Sequence, residues 1–300
     1  MKSFTIVVDS NCDLPPNYAE KHGIEVLPMP FELDGKAHNQ GYWQEISAKD
    51  FYTTLRNGGI AKTSQINSWL FEKIFLDYAK QGKSALFLLL SSGLSATFQT
   101  ASSALQGVKK SYPNCDISLV DSIAASLGHG LLAMLAVQRR KEGMSASETA
   151  AWLEERKHRC IGLFTVDDLM YLHRGGRLSK LSAIAGSVLG VKPVLNLAPD
   201  GTLALKNKVR GRHAALKLMV NQLKECTGDS TLDTVIVCHT DSLDDSETLV
   251  SMVKEAVKVR EVINMTIGPV IGAHLGPGAV VLFFETRMTR TEYEKKFYKQ

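Results

Sequence analysis

Ala85-Leu-Phe-Leu-Leu-Leu90, followed at once by Ser91-Ser-Gly-Leu-Ser-Ala-Thr97, is the stretch that decides the fold. Six apolar residues in a row, with no polar alternation, suit a strand covered on both faces, as in a parallel sheet flanked by helices. The glycine-bearing turn then feeds a helix predicted over Leu94–Lys110. A turn of this kind leaves free backbone N–H groups at a positive helix end, where a carboxylate or phosphate is welcome. The hydroxyls of Ser95 and Thr97 add donors. Plain helix capping by a serine-rich turn is the alternative. The segment carries neither the GxxxxGK[ST] of a phosphate loop nor the GxSxG of a nucleophile elbow.

Outward from this strand the same alternation continues. Strands are predicted at Phe4–Val8, Ile24–Leu33 and Ile117–Val120, with helices at Trp69–Lys80 and Ile123–Lys141. Ser145-Ala-Ser-Glu148 is a capping box that opens another helix to about Lys157. Repeated β–α units imply a three-layer α/β/α domain with a mainly parallel sheet. Beyond residue 157 the texture changes. Strands are expected at Ile161–Val166, Val194–Leu197, Thr202–Lys206, Thr234–His239, Val262–Ile267 and Ala279–Phe284. Pro199-Asp200-Gly201 is a hairpin turn, since proline presets the first torsion and glycine tolerates positive φ. Helices are expected at Ser179–Leu189, Arg212–Cys226 and Leu243–Val259. The fold class is therefore α/β in two domains: residues 1–157 as the three-layer unit, and 158–300 as a two-layer α/β unit with a mixed sheet and helices on one face. The lysine-rich tail after Arg287 reads as a surface helix or frayed end.

Composition narrows the function. Hydrophobic residues make up 44% and charged residues 22%, and 35 basic against 31 acidic side chains give a net charge of +4. That balance, with no long run of one sign, argues against nucleic acid. Five scattered cysteines without a CxxC pair support neither a disulfide framework nor a metal site and fit a reducing compartment. The opening MKSFTIVVDS is too short an apolar run for a signal segment, and no stretch approaches the ~18 apolar residues of a membrane span. A cytoplasmic protein without stable membrane insertion is expected.

Three further polar clusters stand where apolar elements end. Thr63-Ser64-Gln65 is a compact triplet whose plain reading is a helix cap. His173-Arg-Gly-Gly-Arg177 is a basic loop whose glycines let a ligand approach backbone and whose guanidinium can grip a carboxylate, or else simply a solvated loop. Gly268-Pro-Val-Ile-Gly-Ala-His274-Leu-Gly-Pro-Gly278 reads as a rigid loop of unusual torsions built around one histidine. The pairs Asp9-Ser10 and Asp121-Ser122 echo each other at strand ends, where capping is their simplest role. Two rival functions stay open at this point. Ser95 and His274, with Asp121, could form a hydrolase triad, although the elbow sequence is missing. The glycine-bearing turns could instead hold a phosphate or nucleotide in a regulatory module.

Taken together, VVDS, KTSQ, LSSGLSATFQTA, LVDS, DDLMYLHRGGRLS, GSVLGVKPVLNL and IGPVIGAHLGPGA resemble, in order and spacing, the DegV family. Ile66 stands where proline is usual, and Ala96 and Phe98 replace a commoner glycine and tyrosine. The resemblance implies a fatty-acid-binding protein that is not itself an enzyme. It would hold a long-chain fatty acid as ligand, with no cofactor, between or within its domains. It would then present the carboxylate to a partner ATP-dependent fatty acid kinase that makes acyl phosphate for phospholipid synthesis. By position, Thr63, Ser95 and His274 would bind the carboxylate. Arg177, Arg210, Ser64 and Thr97 would lie nearby or face the kinase. A monomer is expected.

Overall fold

The computed structural model describes residues 4–39, 43–178 and 190–298. The chain runs β1 (Thr5–Asp9), α1 (Pro16–Lys21), β2 (Ile24–Leu27), β3 (Phe31–Leu33), β4 (Lys36–His38), α2 (Ala48–Arg56), β5 (Ala61–Thr63), α3 (Ser68–Lys80), β6 (Ala85–Leu89), α4 (Thr97–Ser111), β7 (Ile117–Asp121), α5 (Leu127–Lys141) and α6 (Ala146–Arg156). It continues through β8 (Cys160–Thr165), α7 (Met170–Arg174), β9 (Val191–Leu197), β10 (Leu203–Arg210), α8 (Arg212–Thr227), β11 (Leu232–His239), α9 (Leu243–Ala256), β12 (Val259–Thr266), α10 (Pro269–Leu275), β13 (Val280–Glu285) and α11 (Arg290–Tyr298).

The apolar run is a central strand. β6 lies between β1 and β7, parallel to both, in a sheet of order β2-β1-β6-β7, and all five of its residues are buried. Its side chains alternate between two cores. Phe87 and Leu89 pack with Phe71 and Phe75 of α3 and Ala104 of α4. Leu86 and Leu88 pack on the other face with Leu127 and Leu132 of α5 and Leu153 of α6. The two cores make three layers.

β8 to β13 form the second sheet, of order β10-β9-β8-β13-β11-β12, mixed because only β11 and β12 run parallel. One face is covered by α8 and α9, with Leu216, Met219, Leu249 and Val253 against Leu163, Val237 and Phe284. The other face looks toward α5, which is thus sandwiched between the two sheets and buries Leu127 to Ala133 without interruption.

Several expectations need correction. Ile24–Leu33 is not one strand: Pro28 and Pro30 break it, so β2 stays in the parallel sheet while β3 joins a small antiparallel sheet β4-β3-β5. That sheet packs Phe31 and Leu33 on Phe51, Tyr52 and Leu55 of α2, and no local sequence pattern announces it. α4 begins at Thr97 rather than Leu94. α5 begins at Leu127 rather than Ile123, because Ile123 and Ser126 hold φ of 45° and 50° and cannot continue a right-handed helix. The Gly268–Gly278 stretch is not a loop throughout: Pro269, suited to a first helical position, opens α10, which ends at Gly276 with φ of 66°. α9 stops at Ala256, because Val257 is already extended (φ −138°, ψ 154°) and Val259 begins β12. The tail is a helix at the surface, as one of the two expectations had it, but it is anchored. Arg290 of α11 is 1% exposed and donates to the carbonyls of Cys160 and Ile123, tying the two sheets' segments together. The helix expected over 179–189 lies outside the described residues.

Candidate functional site

The serine turn after β6 is held from both sides. Ser91 Oγ donates to the Gly201 carbonyl at 2.8 Å, and its neighbour Gly93 lies so close to the hairpin turn that a Cβ there would sit 2.7 Å from the Gly201 carbonyl carbon. The Asp121 carboxylate accepts from the amides of Ser92 and Ile123. Asp9 likewise accepts from Leu90 and Asn11. Asp9 thus caps the short turn Ser10–Cys12, whereas Asp121 ties two turns together and does not cap α5, contrary to the capping expected of both.

This docking suspends Ser95 over a cavity of about 270 Å³ between the two sheets. Leu90, Leu94, Phe164, Leu197, Val281 and Phe283 supply much of its apolar wall. Thr63, Ser64, Ser95, Arg177 and His274 also line it. Three of these come from separate elements: Thr63 ends β5, Ser95 precedes α4 and His274 lies in the last turn of α10. Thr63 Oγ1 and His274 Nε2 are 2.8 Å apart, a hydrogen bond across 211 residues of sequence. Ser95 Oγ lies 2.9 Å from Thr97 Oγ1 and accepts from the Thr97 amide.

The sequence-derived residues thus divide. Thr63, Ser64, Ser95, Arg177 and His274 share one cavity. Thr97 is buried behind Ser95 and steadies it. Arg210 does not line the cavity; it is exposed at the end of β10. Thr63-Ser64-Gln65 is not the cap of α3 either, since Asn67 accepts from the Leu70 amide in that role.

Electrostatics follow from burial. The His274 imidazole is pushed down to about 4, first by loss of water and then by the Arg177 charge, so it is neutral at pH 7. Arg177 is itself half-buried and anchored, donating to the carbonyls of Leu94 at 2.9 Å and Gly175 at 2.5 Å. Gly175 makes room for the imidazole: a Cβ would fall 2.9 Å from His274 Cε1 and closer still to Nδ1. A neutral ring bonded to a hydroxyl, beside a fixed guanidinium and a second hydroxyl, is a set of donors for one small anion. A second hollow, walled by Lys62, Arg174 and Gly59, shares Thr63, Arg177 and His274 with the cavity, so the pair is reached from two sides.

Sequence reasoning missed Ser126, which also lines the cavity. Its hydroxyl donates to Asp13 at 2.5 Å. Burial pushes that acid up to about 8, so it carries a proton at neutral pH. No local pattern announces the pair, because 113 residues separate its members.

A family model described as "Uncharacterised protein, DegV family" matches residues 3–287. The chain belongs to the DegV family. A DegV domain-containing protein of Clostridium perfringens is 38% identical over 284 residues, covering 95% of this chain and 98% of that one. Among solved structures, a DegV lipid-binding protein of Thermotoga maritima is 30% identical with a TM-score of 0.83, covering 96% of this chain and 100% of that chain. A DegV-family protein of Thermus thermophilus, described by its fatty acid binding, is 28% identical with a TM-score of 0.85, covering 95% and 100%.

Within this DegV chain the groups that a hydrolase triad needs are engaged elsewhere. His274 Nε2 meets Thr63 rather than Ser95, and the Asp121 carboxylate is taken by backbone amides. Among the described residues there is no His/Cys/Asp/Glu cluster able to hold a metal, and no helix is long and apolar enough to cross a membrane.

Proposed function

We propose that this protein binds one long-chain fatty acid, with its hydrocarbon in the cavity between the sheets and its carboxylate at Thr63, Ser95 and His274. The observation that carries the reading is an apolar cavity whose polar lining is gathered from three distant segments around the Thr63–His274 hydrogen bond. The lipid-binding and fatty-acid-binding relatives of the same fold support it.

The physics is consistent. An unpaired carboxylate in an apolar site is costly, so several donors must meet it. With Nε2 carrying the proton, His274 donates to Thr63, and the threonine hydroxyl is free to turn its own proton to the ligand. Arg177 adds a positive charge without needing to touch the anion. Burying ~16 methylenes is worth about 13 kcal/mol gross before losses of freedom. The tail therefore supplies affinity, and the polar group decides which atom is presented.

The outer hollow with Lys62 and Arg174 supports presentation to a second protein. We read that partner as an ATP-dependent fatty acid kinase forming acyl phosphate for phospholipid synthesis, with Arg174 and Arg177 facing it. In this reading the protein is non-catalytic and works as a monomer in the cytoplasm, hiding the lipid at the junction of residues 1–157 and 158–300.

Native mass spectrometry of freshly purified protein tests the ligand class. The reading expects an added mass equal to a long-chain fatty acid. A nucleotide mass, or a covalent adduct on Ser95 after treatment with an activated ester, contradicts it.

A further inference from the structure

Another hollow, of about 330 Å³, is walled on one side by Leu131, Met134 and Leu135 of α5 and on the other by polar groups that include Glu285 of β13, Arg156 and Asp233. Its position relative to the first cavity follows from strand geometry. Val281, Phe283 and Glu285 project from the same face of β13 because side chains alternate. Val281 and Phe283 line the first cavity, and Glu285 lines the second. On the facing helix, Ser126 just ahead of α5 belongs to the first and Leu131 to the second. The two spaces are therefore in line, and one row separates them.

That row is the Phe283 ring with a glycine on either side. A Cβ on Gly128 of α5 would fall 2.6 Å from Phe283 Cε1. A Cβ on Gly162, which pairs with Phe283 across the β8–β13 ladder, would fall 2.7 Å from the same atom. Neither glycine has a positive φ, so backbone conformation does not demand glycine at either place. The slot one ring wide does.

We infer that Phe283 is the end stop of the acyl cavity and sets the longest fatty acid the protein accepts, with the Leu131–Leu135 hollow lying directly beyond it. The inference rests on the fatty-acid reading above and assigns that reading a specificity residue. From Phe283 to Glu285 the strand advances roughly 7 Å, a length that admits several further methylenes. Leu131, Met134 and Leu135 give the hollow an apolar side on which a chain terminus could rest, while its far side is polar.

The test is displacement of a bound fluorescent fatty acid by palmitate, stearate, arachidate and behenate, on wild type, Phe283→Leu and Phe283→Ala. Each methylene that finds apolar surroundings adds up to about fourfold in affinity. Wild-type affinity should therefore climb and then fall off once the chain meets the ring. Removing the ring should move that turning point to longer acids and raise the behenate-to-palmitate affinity ratio at least tenfold. Phe283→Leu keeps most of the packing if the alanine variant folds poorly. Adding Met134→Trp, which fills the second hollow and leaves the first alone, should return the ratio to wild type. A ratio unchanged in a folded Phe283 variant overturns the inference, as does a shift that survives Met134→Trp. Wild type that binds none of the four acids overturns the fatty-acid reading itself, a distinct result.

Discussion

Replacing Gly175 with alanine disturbs the proposed headgroup site without removing a polar atom. Gly175 has φ of −71°, so alanine is acceptable to the backbone there. The new methyl instead collides with the His274 ring, 2.9 Å from Cε1 and nearer to Nδ1. Ordinary contact needs about 3.5 Å or more, so the imidazole must retreat by about 1 Å. A displacement of that size is enough to spoil the geometry of the Thr63–His274 bond, 2.8 Å long. A net hydrogen bond is worth about 1 kcal/mol and overpacking costs ~1–3 kcal/mol, so unfolding stability should fall by about that range. The larger effect falls on the ligand. A hydrogen bond to a charged group is worth ~1.5–3 kcal/mol, so fatty acid affinity should drop about 10- to 100-fold. The assay is a double-mutant cycle on fatty acid affinity with Gly175→Ala and His274→Ala. The two changes should be strongly non-additive, with Gly175→Ala nearly silent once the ring is gone. Equal losses in both backgrounds would refute the role given to His274, and so would unaltered affinity in a folded Gly175→Ala.

Other outcomes follow from the same structure. Ser95→Ala removes a hydroxyl at the proposed headgroup end while leaving the acyl wall intact, so transfer of phosphate to bound fatty acid by the proposed partner kinase should fall more than binding does; lost lipid uptake with normal turnover of bound lipid would contradict this. Asp13 is pushed from 3.8 up to about 8 by burial, so the folded protein holds a proton that the unfolded chain has released over that interval, and the acid's contribution to stability declines as pH rises through it. Asp13→Asn, a mimic of the protonated acid, should therefore gain on wild type by a few kcal/mol between pH 5 and pH 8 in urea melts; a constant difference across that range would contradict the buried neutral acid. Charge reversal at Arg174 and Arg177 should weaken kinase coupling, read as the fatty acid kinase's rate at a fixed concentration of loaded protein, and an unchanged rate would remove the proposed docking role.

The features legible in the sequence are those set by local periodicity. Ala85–Leu90 announces a two-sided strand because every position is apolar, and Pro199-Asp-Gly201 announces its hairpin through two torsional preferences. The Ser145–Glu148 capping box reads directly, and the structure contains both halves of it. Errors came where a local rule met a long-range one. Ile24–Leu33 is apolar enough for one strand, yet its two prolines pass the chain from one sheet to another. Arg290, in a lysine-rich tail, looks solvated until its guanidinium is seen reaching carbonyls 130 and 167 residues away. The site shows the same divide. Thr63, Ser95 and His274 were recognisable by family resemblance, but the hydrogen bond between the first and third is a tertiary fact with no local signal. Gly128 and Gly162 read as unremarkable until the ring between them is known.

The central claim is that a fatty acid carboxylate sits among Thr63, Ser95 and His274. Palmitate labelled with carbon-13 at its carboxyl reports on that place directly by nuclear magnetic resonance. A single bound resonance is expected, distinct from free palmitate, that moves in Thr63→Val, Ser95→Ala and His274→Ala but stays in place in Met134→Trp. A bound signal indifferent to the three headgroup substitutions, or one that never departs from free palmitate, would contradict it.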